Sequence, residues 1–367
     1  MPKAPLRKGL GSSLGEIPVE FIQLDDPTIS TAKKDYSTLT SYNLLPKRER
    51  GMIVPGTPLI WKLAPACKVK PDSGKYIQDP NTLVFPKCSL EPLFRAIAVT
   101  KPTMNLTDVD LISDRRNLRL LLALVSGNKK PFRINIEVVA STVLFTTYAN
   151  SKVNFVQDFE GYGREYEKAS TWTPRHVRGS ITHNRVVRYT LGGVRIMLRF
   201  EVDACMPAKP CNMPESSSMK TPSGLTVVKA GRLVGPSRIV EIKTGPARKA
   251  LDVSKNLSQM WFSQTPILCM GQYTEDGAFL PARQMNAERE GKLRLWEKNN
   301  EDKIRRLIRV LQMIMELVKR GPPICALIHE GDGVLRVYQD MNMGKRGIPV
   351  DLLPMWSITP KTTETHK

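Results

Sequence analysis

The stretch from Val194 to Ala204 reads VRIMLRFEVDA, and its apolar residues alternate with the others at the period of a β-strand. Glu201 and Asp203 are two residues apart near the end of this stretch, so the pattern puts both carboxylates on one face. A second predicted strand carries Glu241 and Lys243 at the same spacing. If the two strands pair, three carboxylates and one ammonium group meet at one place.

Carboxylates that lie close together repel one another unless a cation sits among them. Hard oxygen ligands in this number suit Mg²⁺ or Mn²⁺. Lys243 would orient or activate water there and help to neutralise a phosphate group. The arrangement is typical of metal-dependent nucleases with a D…(D/E)xK motif, although a solvent-facing sheet surface would explain the same residues. The residues alone leave both interpretations open.

The composition points to a polyanionic partner. The chain has 55 Lys and Arg against 35 Asp and Glu, a net charge of +20. Basic surfaces gain affinity for nucleic acids by releasing counterions from the phosphates, without distinguishing RNA from DNA. The sequence contains no apolar run of about 18 residues, so we expect no membrane partner.

The residue patterns predict a mixed α/β (α+β) fold, in which helices flank a largely antiparallel sheet. Strands are predicted at 19–24, 133–147, 184–189, 194–204 and 238–244, helices near 117–124, 258–263 and 301–319, and a hairpin at 324–339. We expect residues 1–60 to be an irregular basic segment packing on the core, residues 61–360 one nuclease-like domain, and residues 361–367 a polar tail. Residues 206–236 are rich in Pro, Ser and Met and are predicted to be a loop insertion that can be trimmed without unfolding.

Six short motifs follow one another along the chain: DRRNL (114–118), GREYE (163–167), FEVDAC (200–205), VEIKT (240–244), WFSQ (261–264) and LPMW (353–356). In order and in local sequence they resemble the motifs of the DXO-type decapping exoribonucleases, a family of PD-(D/E)xK nucleases. The third and fourth resemble the family's E-V-D-C and V-E-L-K-T strands. The resemblance runs in register from about residue 105 to 358, and it implies a PD-(D/E)xK core.

The resemblance also implies roles for individual residues. The implied metal ligands of two Mg²⁺ or Mn²⁺ ions are Glu167, Glu201, Asp203, Glu241 and the Ile242 carbonyl. Lys243 and Gln264 would position the attacking water and the scissile phosphate, and Arg115 would hold a substrate phosphate. The implied catalytic residues are Glu167, Glu201, Asp203, Glu241, Lys243 and Gln264.

The family removes incomplete or unusual 5′ caps, including NAD-type caps, and some members degrade RNA from 5′ to 3′. The resemblance therefore implies an RNA hydrolase of the nucleus or cytoplasm, with a 5′–3′ exoribonuclease as a possible protein partner. The alternatives are a non-catalytic member that binds RNA or a partner, and a DNA nuclease of the same superfamily. Arg164 departs from the second motif, and Arg116 and Arg119 compete with Arg115 for the first.

Overall fold

The computed structural model describes residues 6–22, 29–62, 66–77, 79–148, 153–155, 161–209, 216–341 and 347–357. The strands of these residues are β1 (Leu10–Pro18), β2 (Lys34–Leu44), β3 (Gly51–Gly56), β4 (Ile60–Trp61), β5 (Cys67–Lys68), β6 (Lys75–Ile77), β7 (Leu111–Asp114), β8 (Phe132–Val139), β9 (Thr142–Thr147), β10 (Val153–Phe155), β11 (Thr171–Trp172), β12 (Thr182–Leu191), β13 (Val194–Glu201), β14 (Ala204–Cys205), β15 (Ser217–Lys220), β16 (Thr226–Gly231), β17 (Ile239–Pro246), β18 (Ile267–Tyr273), β19 (Ala278–Phe279), β20 (Arg283–Asn286), β21 (Ile324–His329) and β22 (Val334–Asp340).

The helices in the same ranges are α1 (Pro80–Val84), α2 (Glu91–Thr100), α3 (Arg115–Val125), α4 (Gly163–Ser170), α5 (Ser254–Ser263), α6 (Lys292–Asn299) and α7 (Glu301–Lys319). Short 3₁₀ turns lie at Val19–Phe21, Arg175–Val177, Pro236–Arg238 and Val350–Trp356. The predicted helix at 301–319 is confirmed, because its apolar residues recur at helical spacing and are buried along one face. Among the residues described, none of the helices has the length and apolar character needed to span a bilayer.

Two large sheets organise the described residues. The larger sheet has the strand order β1-β22-β21-β8-β9-β7-β13-β12-β2-β3-β16-β15, and the smaller has β11-β4-β14-β17-β18-β19-β5, with β20 beside β18. Most neighbouring pairs of the larger sheet are antiparallel, while β7 pairs in parallel with β9 and β13, and β3 with β16. The predicted fold class, a mixed and largely antiparallel sheet flanked by helices, is confirmed.

The larger sheet is buried on both faces. On one face α3 and α7 cover residues such as Ile196 and Leu198 of β13. On the other face α2 and the turn at Val350–Trp356 cover Met197. Alternation along β13 therefore separates two cores, rather than a core from solvent.

The tight turn between β12 and β13 was predictable from its residues. Gly192 and Gly193 have φ angles of 53° and 82°, a left-handed pair that suits a two-residue hairpin. A Cβ atom on Gly192 would lie 2.6 Å from Ile308 Cγ2 of α7, so only glycine fits there. This turn fixes the register in which Asn184 faces Glu201 across the hairpin.

The strand predicted at Val194–Ala204 is not continuous. β13 ends at Glu201 in the larger sheet, and β14 begins at Ala204 in the smaller sheet, where it pairs with β17 and β4. The chain thus crosses from one sheet to the other at Val202 and Asp203. The expectation that Glu201 and Asp203 share one face of one strand is wrong, because a sheet change separates them.

Residues 1–60 are not an irregular segment that packs on the core. Within the described part of this segment, β1 pairs with β22, and β2 lies between β12 and β3 inside the larger sheet. The strand predicted at 19–24 is wrong for Val19–Phe21, which form a 3₁₀ turn, and residues 23–28 lie outside the described ranges. The segment reads as irregular because strand pairing with distant residues is invisible to local pattern.

The predicted loop insertion at 206–236 contains two strands. β16 pairs in parallel with β3 on one side and antiparallel with β15 on the other. Leu225 and Val227 are each 1% exposed. Trimming the segment would remove a buried strand from the larger sheet, so the expectation of a dispensable loop is wrong. The strand predicted at 133–147 is a hairpin of β8 and β9 that turns at Ala140. Residues 210–215 and the predicted tail at 361–367 lie outside the described ranges.

Candidate active site

Glu201 closes the end of β13 at the edge of a cleft. Its Oε1 accepts a hydrogen bond of 2.6 Å from the hydroxyl of Thr182 on β12. The Glu201 side chain is exposed to the cleft, and the walls of the cleft lie around it. Desolvation by those walls raises the pKa of Glu201, and the nearby carboxylate of Glu241 adds to the rise.

Asp203 lies at the point where the chain passes between the sheets. Its Oδ2 accepts a hydrogen bond of 2.7 Å from the backbone N–H of Ile242 on β17. The bond ties the crossing segment to the strand that carries Glu241. Whether the Ile242 carbonyl ligates a metal ion stays a prediction.

Glu241 lies at the centre of the cluster and is 3% exposed. Its Oε1 accepts a short hydrogen bond from Lys243 Nζ, and its Oε2 lies 3.4 Å from Arg115 Nη1. Lys243 Nζ is also 3.9 Å from Asp203 Oδ2. The predicted meeting is confirmed by contacts for Asp203, Glu241 and Lys243, while Glu201 lies near enough for the charge of Glu241 to act on it. The helix α3 adds the guanidinium of Arg115.

Glu167 joins the cluster from α4. This helix begins where the backbone N–H groups of Arg164 and Glu165 donate to the carboxylate of Asp72, at 3.0–3.1 Å. Burial, with the charge of Glu201 as the next cause, raises the pKa of Glu167 from near 4.5 to about 7. Glu167 therefore interacts with Glu201 and Glu241 through charge and makes no direct hydrogen bond to either carboxylate.

The pKa values of Asp203 and Glu241 shift in opposite directions, although burial raises both. Desolvation, with the charge of Glu241 next, raises the pKa of Asp203 well above its usual range. Burial also disfavours a charged Glu241, but Lys243 and Arg115 outweigh it and lower the pKa of Glu241. Without a metal ion, Asp203 holds a proton more readily than Glu241 does, and Glu241 carries the negative charge.

The donor chemistry of the cluster fits a divalent cation. Four carboxylates offer hard oxygen ligands, and burial raises the pKa of two of them, Glu167 and Asp203, a shift that a nearby cation would oppose. As they stand, no three His, Cys, Asp or Glu side chains of the described ranges form a group that could hold a metal ion. Lys243 supplies the positive charge between Glu241 and Asp203.

Arg115, rather than Arg116 or Arg119, contacts the carboxylates. Its Nη1 donates to Ser263 Oγ at 3.2 Å, which ties the start of α3 to the end of α5. Gln264 follows α5 directly in a left-handed conformation, with φ at 50°. Among the described residues, the Gln264 side chain makes no hydrogen bond to the cluster, so its predicted role stays a prediction.

A cavity of about 720 Å³ opens beside Glu201. Its walls include the basic residues Arg115, Arg116, Arg119 and Lys255. The site thus has an acidic centre next to a basic cleft. Sequence reasoning missed the polar residues that line the rest of this cavity, among them Asn184, although an asparagine within an apolar strand was a signal.

The carboxylates give the metal-free protein a specific pH dependence. Glu167 has a higher pKa in the folded protein than its usual value near 4.5, so folding favours its protonated form. Stability should therefore fall as the pH rises through about 7, and this loss should be absent in Glu167→Gln. Unfolding free energies of both proteins, measured in chelator between pH 5.5 and 8.5, test this.

The quantity to compare is the difference in unfolding free energy between the wild type and Glu167→Gln at each pH, because other groups titrate in the same range. Burial lowers the pKa of His183 to about 3, so His183 costs stability as the pH falls below its usual value. That contribution is present in both proteins and cancels. Parallel curves for the wild type and Glu167→Gln would contradict the raised pKa of Glu167.

A family model described as "Domain of unknown function (DUF8563)" matches residues 19–356. The chain belongs to this family. The matched range crosses the boundary at residue 60, in agreement with the strands that this DUF8563 protein contributes from both sides of it. No curated protein sequence matches the chain.

Solved structures similar to this DUF8563 protein include Rai1 and Dxo1. S. pombe Rai1 has a TM-score of 0.60 at 14% identity, covering 89% of this chain and 99% of that one. Candida albicans Rai1 in complex with pU5-Mn²⁺ has a TM-score of 0.58 at 12% identity, covering 91% and 98%. K. lactis Dxo1 in complex with manganese has a TM-score of 0.55 at 12% identity, covering 90% and 99%. The fold is that of the Rai1 and Dxo1 structures, which confirms the predicted resemblance.

Proposed function

We propose that this protein is a divalent-metal-dependent hydrolase that acts on the 5′ ends of RNA. Its reaction is the removal of incomplete or unusual caps, including NAD-type caps, with 5′→3′ degradation as a further activity of the same site. The observation that carries the proposal is the cluster of Glu167, Glu201, Asp203 and Glu241 around Lys243. A scaffold has no physical need to bring carboxylates close together, since like charges at one place repel one another.

The ligands of proteins with the same fold support the substrate class. Structures of Rai1 from Candida albicans, Scheffersomyces stipitis and S. pombe contain, respectively, pU5 with Mn²⁺, (3′-NADP)⁺ with calcium, and 3′-FADP. These ligands are an RNA and dinucleotides that carry phosphate linkages. By this analogy of fold we extend RNA ends and dinucleotide caps to the present chain as substrates.

The proposal assigns a role to each residue of the cluster. Glu167, Glu201, Asp203, Glu241 and the Ile242 carbonyl would hold Mg²⁺ or Mn²⁺, as one ion or two. Bound there, the metal supplies Lewis-acid polarisation of the scissile phosphate. The carboxylates would hold the ion beside the cleft, where a phosphate of the substrate would bind.

The remaining residues act on the substrate and on water. Lys243 has three N–H donors and no acceptor, which suits it to orient an attacking water and to neutralise phosphate charge. Arg115 presents a planar fork that grips phosphate oxygens through two parallel hydrogen bonds. Gln264 both donates and accepts, and in this proposal it positions the same phosphate.

The shape and charge of the cleft fit a nucleotide. Its volume of about 720 Å³ is within the usual size of small-molecule sites. Its basic wall and the net charge of +20 favour a phosphate-rich ligand. The family resemblance is the basis for two further parts of the proposal. The compartment is the nucleus or cytoplasm, and a 5′–3′ exoribonuclease is a protein partner.

The test uses RNA and DNA strands of one sequence with a 5′ label, each incubated with Mg²⁺, with Mn²⁺ and with excess chelator. We expect RNA to be cut or decapped in either metal and to stay intact in chelator. Full activity in chelator would overturn the proposal. Faster cutting of DNA would make the protein a DNA nuclease, and binding without any cutting would make it a non-catalytic member of the fold.

A further inference from the structure

A buried arginine starts a chain of hydrogen bonds behind the cleft. Arg199 is 1% exposed, and its Nε and Nη2 donate to the two carboxylate oxygens of Asp114 at 2.6 and 2.9 Å. Its Nη1 donates to the hydroxyl oxygen of Tyr42 at 3.2 Å. A guanidinium group has donors only, so the direction of this last bond is fixed.

The direction of hydrogen-bond donation continues from Tyr42 to Asn81. Because the Tyr42 oxygen accepts from Arg199, its hydroxyl proton is free to donate, and it does so to Asn81 Oδ1 at 2.7 Å. Burial raises the pKa of Tyr42, so the hydroxyl keeps this proton. The Asn81 carbonyl therefore faces Tyr42, and its amide nitrogen faces the other way.

The chain ends at Asn184. Asn81 Nδ2 donates to Asn184 Oδ1 at 3.2 Å, which fixes the orientation of the second amide as well. Asn184 is 3% exposed, and among the described residues its Nδ2 has no hydrogen-bond partner. Both asparagines line the cavity beside Glu201. An unpaired buried donor costs free energy, so a ligand that accepts a hydrogen bond there would recover it.

The position of this donor identifies the ligand. Asn184 lies opposite Glu201 in the β12–β13 pairing, and Glu201 Oε1 is already bonded to Thr182. Among the residues that line the same cavity, five basic side chains (Arg115, Arg116, Arg119, Arg199 and Lys255) outnumber three acidic ones (Asp79, Asp114 and Glu201). The non-bridging oxygens of a phosphate only accept hydrogen bonds, which matches a donor among positive charges next to the acidic cluster.

We propose that Asn184 donates a hydrogen bond from Nδ2 to a phosphoryl oxygen at the 5′ end of the RNA, with its orientation set by the chain Arg199–Tyr42–Asn81. The inference rests on the proposed function and adds a substrate-binding residue to it. The chain starts at an Arg199 that is paired with Asp114, and all of its hydrogen bonds point the same way, so that each bond polarises the next and strengthens the last donor.

The experiment compares two probes, a five-uridine RNA with a 5′-phosphate and the same RNA with a 5′-hydroxyl. Their dissociation constants are measured by fluorescence anisotropy in Ca²⁺ for the wild type, Asn184→Leu and Tyr42→Phe. Asn184→Leu keeps a side chain of similar shape and removes the Nδ2 donor, together with the Oδ1 that accepts from Asn81. We expect it to weaken binding of the phosphorylated RNA by about 10- to 100-fold, the usual effect of one hydrogen bond to a charged group. Binding of the hydroxyl RNA should change little.

Tyr42→Phe removes one link of the chain and leaves Asn184 in place. It should weaken the preference for the 5′-phosphate by a smaller factor, because the two amides lose the contact that orients them. This variant also decides the matter if Asn184→Leu does not fold. The matched control is Asn43→Leu on β2, a buried asparagine that bonds to Thr57 and His183 outside the cavity. It should keep the wild-type preference.

Each outcome has a defined meaning. Loss of the preference in Asn184→Leu, with the preference intact in Asn43→Leu, supports the inference. If Asn184→Leu retains the preference, or if both RNAs weaken equally, the assignment of Asn184 to the 5′-phosphate is overturned while the proposed function stands. If the wild type binds neither RNA, the proposed function itself fails.

Discussion

Asp203→Asn and Glu241→Gln are each expected to abolish metal-dependent hydrolysis of RNA while the protein stays folded. Both changes remove a carboxylate that the proposed function assigns to the metal ion. Metal ions contribute several kcal/mol of charge stabilisation to phosphate hydrolysis, and about 1.4 kcal/mol corresponds to a tenfold rate, so we expect a loss of roughly a thousandfold or more. Single-turnover rates on 5′-labelled RNA at saturating Mg²⁺ measure it.

Asp203→Asn should leave the metal-free protein as stable as the wild type or slightly more stable. An asparagine oxygen can still accept from the N–H of Ile242, which Asp203 Oδ2 does at 2.7 Å. The change also removes a carboxyl group whose pKa is raised because burial and Glu241 disfavour its charge. The rise in melting temperature that added metal gives the wild type should be lost in the variant.

Glu275→Gln is the control for these two variants. It makes the same charge change on a side chain that is 89% exposed and paired with Arg248 at the surface. It should keep wild-type rates and the metal-induced gain in melting temperature. Equal rate losses in Glu275→Gln and Glu241→Gln would show that the measured effect is one of overall charge, not of metal ligation.

Arg115→Ala is expected to cut turnover on capped or 5′-monophosphate RNA by about a hundredfold or more, the size of a lost pair of charged hydrogen bonds. A second effect follows from the structure. Arg115 Nη1 is 3.4 Å from Glu241 Oε2 and helps to lower the pKa of that carboxylate. The activity of Arg115→Ala should therefore decline at a higher pH than that of the wild type as the pH falls.

Arg115→Lys separates these two effects. A lysine keeps a positive charge near Glu241 but lacks the planar fork, so turnover should fall without the full shift of the pH profile. Arg248→Ala, at a side chain that is 72% exposed, serves as the surface control. A pH profile that is the same in all variants would contradict the link between Arg115 and Glu241.

Linear and circular RNAs of one sequence test whether Arg115 reads a 5′ end. The wild type should act on the linear form only, because a circle offers no terminal phosphate to the guanidinium. If the circle is cut as fast as the linear RNA, the enzyme is an endonuclease and the proposed role of Arg115 is wrong. The general affinity for both RNAs should keep its salt dependence, since it comes from the basic surface.

Local pattern predicted the elements whose partners are near in sequence. The helix at Glu301–Lys319 and the hairpin of β21 and β22 follow from their own periodicity, and both are confirmed. β16 and the N-terminal strands were not predictable, because each is stabilised by pairing with a distant strand. The break at Val202 was hidden for a related reason: alternation continues through a residue pair at which the chain changes sheets.

The candidate site divides in the same way. The meeting of Asp203, Glu241 and Lys243 was predictable from acidic and basic residues on otherwise apolar segments, but the spacing argument that put Glu201 and Asp203 on one strand face was wrong. The role of Asn184 was not predictable, since its unpaired donor depends on contacts among four residues from separate parts of the chain. Only the three-dimensional structure tells whether the donors and acceptors of a polar side chain in a strand have hydrogen-bond partners.

Because the chain crosses between the sheets at Val202 and Asp203, the acidic cluster is made of residues from both sheets. Glu201 belongs to the larger sheet and Glu241 to the smaller, so an ion or phosphate that contacts both resists any sliding of one sheet over the other. Ligand binding should therefore slow hydrogen exchange in strands of both sheets, far from the ligand itself. Conversely, a substitution in the packing between the sheets would shift Glu201 relative to Glu241 without contacting either carboxylate, and so would weaken binding of any ion or phosphate held by both.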